Sequence, residues 1–138
     1  MDDAEQTKLN EFVENWKDSQ TRNKEAFLRI KEHLETKADA RLAFKDRPGV
    51  TYSLRGDRPG QERDLFVMAD VIDDDPENRW LSVCFFGEMI NDPDELGDLI
   101  PGGLLGEDGY CFDIDEYEED LVQYVMTRID EAYDAAGK

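Results

Sequence analysis

Basic residues are almost missing from the second half of this 138-residue chain. Residues 1–63 carry 13 acids and 13 bases, whereas residues 64–138 carry 22 acids and only Arg79, Arg128 and Lys138, so the net charge of −19 belongs wholly to the latter part. That deficit excludes a basic groove for nucleic acid and a cationic face for anionic lipid. No apolar run approaches the 18 residues of a membrane span, and Met1-Asp2-Asp3 is the reverse of a signal peptide's basic start. Cysteine is scarce as well: Cys84 and Cys111 stand outside any CxxC spacing, so neither a disulfide scaffold nor a zinc knuckle is expected, and both read as small core residues. The single histidine, His33, has no Ser, Cys or Asp at motif spacing and reads as a solvated helix residue.

Hydrophobics at 39% and aromatics at 10% are enough for a folded core despite the charge, and the length suits one domain. The expectation is a single cytoplasmic domain over 1–138. Leu9, Phe12, Val13 and Trp16 keep the i, i+3, i+4, i+7 spacing of a helix over about 4–17. Ala26, Phe27, Ile30 and Leu34 do the same over about 21–38, making an N-terminal helical hairpin (1–38).

The period then falls to two. Leu42 and Phe44, then Val50, Tyr52 and Leu54, alternate with polar neighbours. Asp-Arg-Pro-Gly occurs at 46–49 and again at 57–60, where proline presets the first central turn position and glycine accepts positive φ at the second. Residues 64–73 and 80–87 read as central strands joined by the acidic hairpin loop Asp73-Asp74-Asp75-Pro76-Glu77-Asn78. Residues 88–112 form a Gly-rich loop region, with a short helix around 92–99 and one more strand at Tyr110-Cys111-Phe112. Asp113 with Glu116 makes a capping box for a last helix, 113–135, whose buried stripe runs from Leu121 through Val125 and Ile129 to Tyr133. The fold class expected is α+β, an antiparallel four- to five-stranded meander sheet (40–87) with the helical hairpin and the C-terminal helix packed against it. Trp16 and Trp80 are expected to anchor the core, one from each layer.

Few patterns here carry chemistry. The acids fail EF-hand spacing: Tyr117 stands where a ligand is wanted after Asp113 and Asp115, and no glycine follows, so no metal and no cofactor is expected. The glycines of 97–109 lack GxGxxG and GK[ST], and Glu107 and Asp108 repel phosphate; a flap with an apolar tip at Leu104 and Leu105 fits them better. Arg47, Arg55, Arg58 and Arg63 gather beside Tyr52 and read as compensation for the acidic half.

Two functions follow. The first is a non-catalytic interaction module, a DNA mimic in one form, presenting Asp73, Asp74, Asp75, Asp113, Asp115, Glu116, Glu118, Glu119 and Asp120 to a basic protein partner. The alternative is a small-molecule pocket or enzyme under the 97–109 loop, drawing on Tyr52, Arg55, Glu88, Leu104 and Leu105. An uncovered edge strand would serve as a homodimer contact.

The order of elements, a helical N-terminus, then Pro48-Gly49-Val50-Thr51-Tyr52-Ser53-Leu54-Arg55, then paired strands at Leu65 to Ile72 and Trp80 to Phe86 and a final helix, resembles the small bacterial α+β domains of the YdhG-like and YjbR-like groups. The resemblance implies an α+β fold without a settled enzymatic activity. It lends no site residue, because the basic, histidine-containing strand of those groups has no counterpart here.

Overall fold

The computed structural model describes every residue, 1–138. Helix α1 (Asp3–Asn15) starts where the Asp2 carboxylate accepts from the Glu5 N–H at 2.7 Å, which satisfies one of the free amides of the first turn. Helix α2 (Asn23–Glu35) follows after Arg22 turns the chain through the left-handed region at φ 59°. Strands β1 (Arg41–Arg47), β2 (Thr51–Asp57), β3 (Val67–Ile72) and β4 (Trp80–Phe86) then form a meander. Both Asp-Arg-Pro-Gly segments make the turns their sequence dictates. The Val50 N–H returns to the Arg47 carbonyl at 2.9 Å and the Gln61 N–H to the Arg58 carbonyl at 3.2 Å, with Gly49 and Gly60 at φ +83° and +84°.

The sheet has six strands rather than four or five, all antiparallel, in the order β1-β2-β3-β4-β6-β5. The expected Gly-rich loop is the reason. After a single 3-10 turn at Gly87–Met89, and with no helix around 92–99, residues 98–114 form a hairpin of β5 (Asp98–Leu104) and β6 (Glu107–Ile114). Leu105 and Gly106, at φ 53° and 84°, make its two-residue turn; both positive values match the right-handed twist of the flanking strands. Strand β6 inserts beside β4, so β5 lies outermost and the meander is broken there. The last helix, α3 (Glu119–Ala136), begins six residues later than expected, and Asp113 is a strand residue, not its cap. The D-x-x-E signal fails because Asp113 to Ile114 are held in the ladder by Ser82 and Leu81.

Strand parity divides the sheet into two faces. Phe44, Leu54, Ala69, Val71, Leu81, Val83, Phe112 and Ile114 point to one face, and all are buried. Leu9, Phe12, Phe27, Ile30, Val122, Val125 and Ile129 of the three helices close the core against them. Phe12 stacks on Tyr52 at 4.1 Å, and Phe112 meets Tyr124 at 6.0 Å. Trp16 belongs to this core, but Trp80 pairs with Ile72 on the opposite, helix-free face and is only half-buried. No helix is long and apolar enough to cross a membrane.

Two expectations made residue by residue are corrected by long-range contacts. Cys84 and Cys111 lie directly opposite one another in β4 and β6 and form a disulfide, a pairing that appears only once β6 is known to enter the sheet beside β4. His33 is not solvated without a partner: its Nε2 lies 2.7 Å from the Asp130 carboxylate, which also takes Lys37 Nζ at 2.5 Å, and so ties α2 to α3.

Candidate functional site

The acids of the second half come together at one end of the sheet. The β3–β4 connection and the β6–α3 connection leave the same end, because Leu81 pairs with Ile114. A buried side chain locks them side by side: Asn23 Nδ2 donates to the Arg79 carbonyl at 3.0 Å and to the Asp115 carbonyl at 2.8 Å. Asp74, Asp75 and Glu77 on the first connection, Asp115, Glu116 and Glu118 on the second, and Asp120 in the first turn of α3 are exposed, and none has a cation within 4 Å. Asp75 is held by Asn78 and by the Glu77 N–H, in that order of effect, which keeps its carboxyl below the usual range.

Three acids expected in this surface have other places. Asp73 is turned inward, its side chain 3% exposed; Oδ1 accepts from Arg79 Nε at 2.7 Å and Oδ2 from the Gly49 N–H at 2.8 Å. It organises the acidic end by pinning two hairpin turns together, and it presents nothing to a partner. Asp113 lies on the helix-free face of β6, where burial, then Asp98 and Asp115, push its carboxyl up. Glu119 is engaged by the Tyr117 hydroxyl at 2.5 Å and by Arg29.

The residues expected to line a pocket are dispersed. Tyr52 and Arg55 stand on opposite faces of β2: Tyr52 packs on Phe12, whereas Arg55 donates to Ser53 Oγ at 3.0 Å on the helix-free face. Glu88, in the 3-10 turn, is bound to Arg63 at 2.5 Å, and Arg63 also takes Glu107 at 2.6 Å. Leu104 is fully buried and Leu105 is 47% exposed at the hairpin turn, so the two leucines share no tip and cover no common cavity with Tyr52 or Arg55.

Tyr52 does line an open cleft of about 220 Å³ between α1 and the β1–β2 turn, with Lys8, Glu11, Asp46 and Pro48 at its rim and Arg79 at its floor. The cleft is smaller than a typical small-molecule site of about 300 Å³ or more. Its aromatic floor is already occupied: the Arg79 guanidinium lies 5.1, 5.5 and 5.4 Å from the ring centroids of Phe12, Trp16 and Tyr52. Burial first, then Asp73, raise the Tyr52 hydroxyl above its ordinary value, the reverse of what a nucleophile or base needs. No group of three or more His, Cys, Asp or Glu side chains is placed to hold a metal ion.

Sequence reasoning missed Arg79 and Asn23, the two residues that build this end. Arg79 had a visible signal, being the sole base between Arg63 and Arg128. Asn23 had none, since its partners lie 56 and 92 residues away. No family model matches the chain, and neither the curated proteins nor the solved structures contain a significant match.

Proposed function

We infer that the protein is a non-catalytic interaction module that engages a basic protein through the acidic end of its sheet. The observation that supports this reading is the convergence of Asp74, Asp75, Glu77, Asp115, Glu116 and Glu118 from two connections clamped together by Asn23, joined by Asp120 at the start of α3, with no internal cation on any of them. Grouped like charge destabilises a compact state, and its potential steers and orients an oppositely charged partner. The acids form a patch drawn from two loops, not a row along a helix, so we favour a basic protein over a DNA-mimic role. The Cys84–Cys111 disulfide bears on location, since such bonds persist mainly in oxidising compartments and are rare in a reducing cytosol.

The test is binding to a defined cationic probe, an oligo-lysine peptide, by calorimetry at two salt concentrations. Binding that weakens with salt and is lost in the D74N/D75N/E77Q/E116Q/E118Q variant supports the module. Binding that is unaffected by those substitutions, or no binding at low salt, overturns it.

A further inference from the structure

We propose that the cleft between α1 and the β1–β2 turn binds a small zwitterion, an α-amino acid with a short apolar side chain, taking its carboxylate on Arg79 and its ammonium on Glu11. Helix spacing builds one wall of the cleft: Lys8, Glu11 and Asn15 fall at i, i+3 and i+7 of α1 and so share the face turned toward Asp46 and Pro48.

At the floor, Arg79 commits only Nε to Asp73, at 2.7 Å. Its two Nη groups have no hydrogen-bond partner in the chain, and neither is sealed from solvent. An open guanidinium edge with unused donors is a fork shaped for a carboxylate. The Tyr52 ring centroid lies 5.4 Å from the same guanidinium, and the Tyr52 hydroxyl also has no partner in the chain. Burial first, then Asp73, keep that hydroxyl protonated at neutral pH, so it adds a donor for the same carboxylate. At the rim, Lys8 approaches Asp46 at 3.4 Å, whereas Glu11 is exposed and has no cation within 4 Å.

This mixture selects the ligand. A plain anion would meet Glu11 and Asp46 under the field of a chain of charge −19. A plain cation would meet Lys8 and the open edge of Arg79. A molecule carrying both charges satisfies each group and opposes neither. The space sets its size: at ~30 Å³ for each water-sized atom, the cleft of about 220 Å³ holds about seven heavy atoms, close to alanine. Pro48 and the stacked Phe12 and Tyr52 rings supply apolar contact for a short side chain. None of the acids of the patch above lines this cleft, so amino-acid binding and oligo-lysine binding fail independently.

NMR titration of the nitrogen-labelled full chain with L-alanine tests the proposal. The expected result is saturable shifts confined to the surroundings of Asn15, Tyr52 and Arg79. N-acetyl-L-alanine, which lacks the ammonium, and L-alaninamide, which lacks the carboxylate, should each bind about tenfold more weakly, the worth of one charge-assisted contact. Glu11→Gln should weaken L-alanine about tenfold and leave N-acetyl-L-alanine unchanged, a pattern that loss of folding would not produce. Absence of saturable shifts overturns the proposal. So does an acetylated analogue that binds as well as alanine, which marks an anion site, or an amide that does, which marks a cation site.

Discussion

Arg79 and Asp73 form an enclosed ion pair, Nε to Oδ1 at 2.7 Å with side chains 13% and 3% exposed, set beneath a ring of three aromatics. Asp73 also takes the Gly49 N–H, so one carboxylate links the β1–β2 turn, the end of β3 and the approach to β4. Replacing it leaves the guanidinium among three aromatic rings at the floor of the cleft without its counter-charge. Asp73→Ala is expected to destabilise the fold by about 3–5 kcal/mol, the usual loss when one member of a buried pair is removed, read as a fall in the urea midpoint. Arg79→Met strands the more deeply buried member of the pair, with only the Gly49 amide left to it, so a loss of similar size is expected.

The disulfide closes a sequence separation of 27 residues that contains the entire β4-to-β6 excursion. In the chain-entropy view a loop of that size contributes about 3–4 kcal/mol through the unfolded state. Chemical denaturation with and without a reductant should differ by that amount, and Cys84→Ser with Cys111→Ser should match the reduced protein. Equal midpoints would mean the ladder alone holds β6 in place.

Asp70 gives a pH signature of definite sign. Its carboxyl is pushed above the ordinary value, chiefly by burial, against the Ser53 hydroxyl and the charges of Arg55 and Arg47. A raised carboxyl pKa in the folded state favours folding of the protonated form; that contribution is full below the unfolded value, near 3.9, and is lost as pH rises through the folded one. Asp70→Asn should therefore raise Tm at neutral pH, and the gain should vanish at a pH below about 4. A variant less stable than wild type at neutral pH would show that the arginines outweigh burial.

Salt should stabilise the protein. The uncompensated acids lie on neighbouring connections, and screening relieves their mutual repulsion. Tm is expected to rise between low and moderate ionic strength, most in the wild type and least in the acid-neutralised variant. A flat or falling response would count against the crowding of these charges.

What was legible in the sequence was whatever depends on local period. The stripes of α1 and α2, the alternation around Leu42 to Leu54 and both Asp-Arg-Pro-Gly turns appear where they were read. Residues 98–104 were not legible as a strand, because Asp98 to Gly103 are exposed on both faces and the pairing with β6 is broken between Ile100 and Leu104, leaving no burial pattern to detect. The same omission hid the disulfide, since Cys84 and Cys111 become neighbours only when β6 joins β4. At the candidate site, the abundance of acid was plain from composition. The inward turn of Asp73 and the clamp by Asn23 were not, because each depends on partners supplied by other elements.

The two margins of the sheet are unlike. At β1 the Glu5 carboxylate of α1 accepts the Phe44 N–H at 2.8 Å, occupying a donor that an incoming strand would need, while β5 carries Leu99 and Ile100 in the open. Strand addition at β1 would first have to displace that carboxylate, so β5 is the margin an unwanted strand would reach more easily. A single glutamate thus guards the middle of one margin and leaves the other to its own exposed side chains.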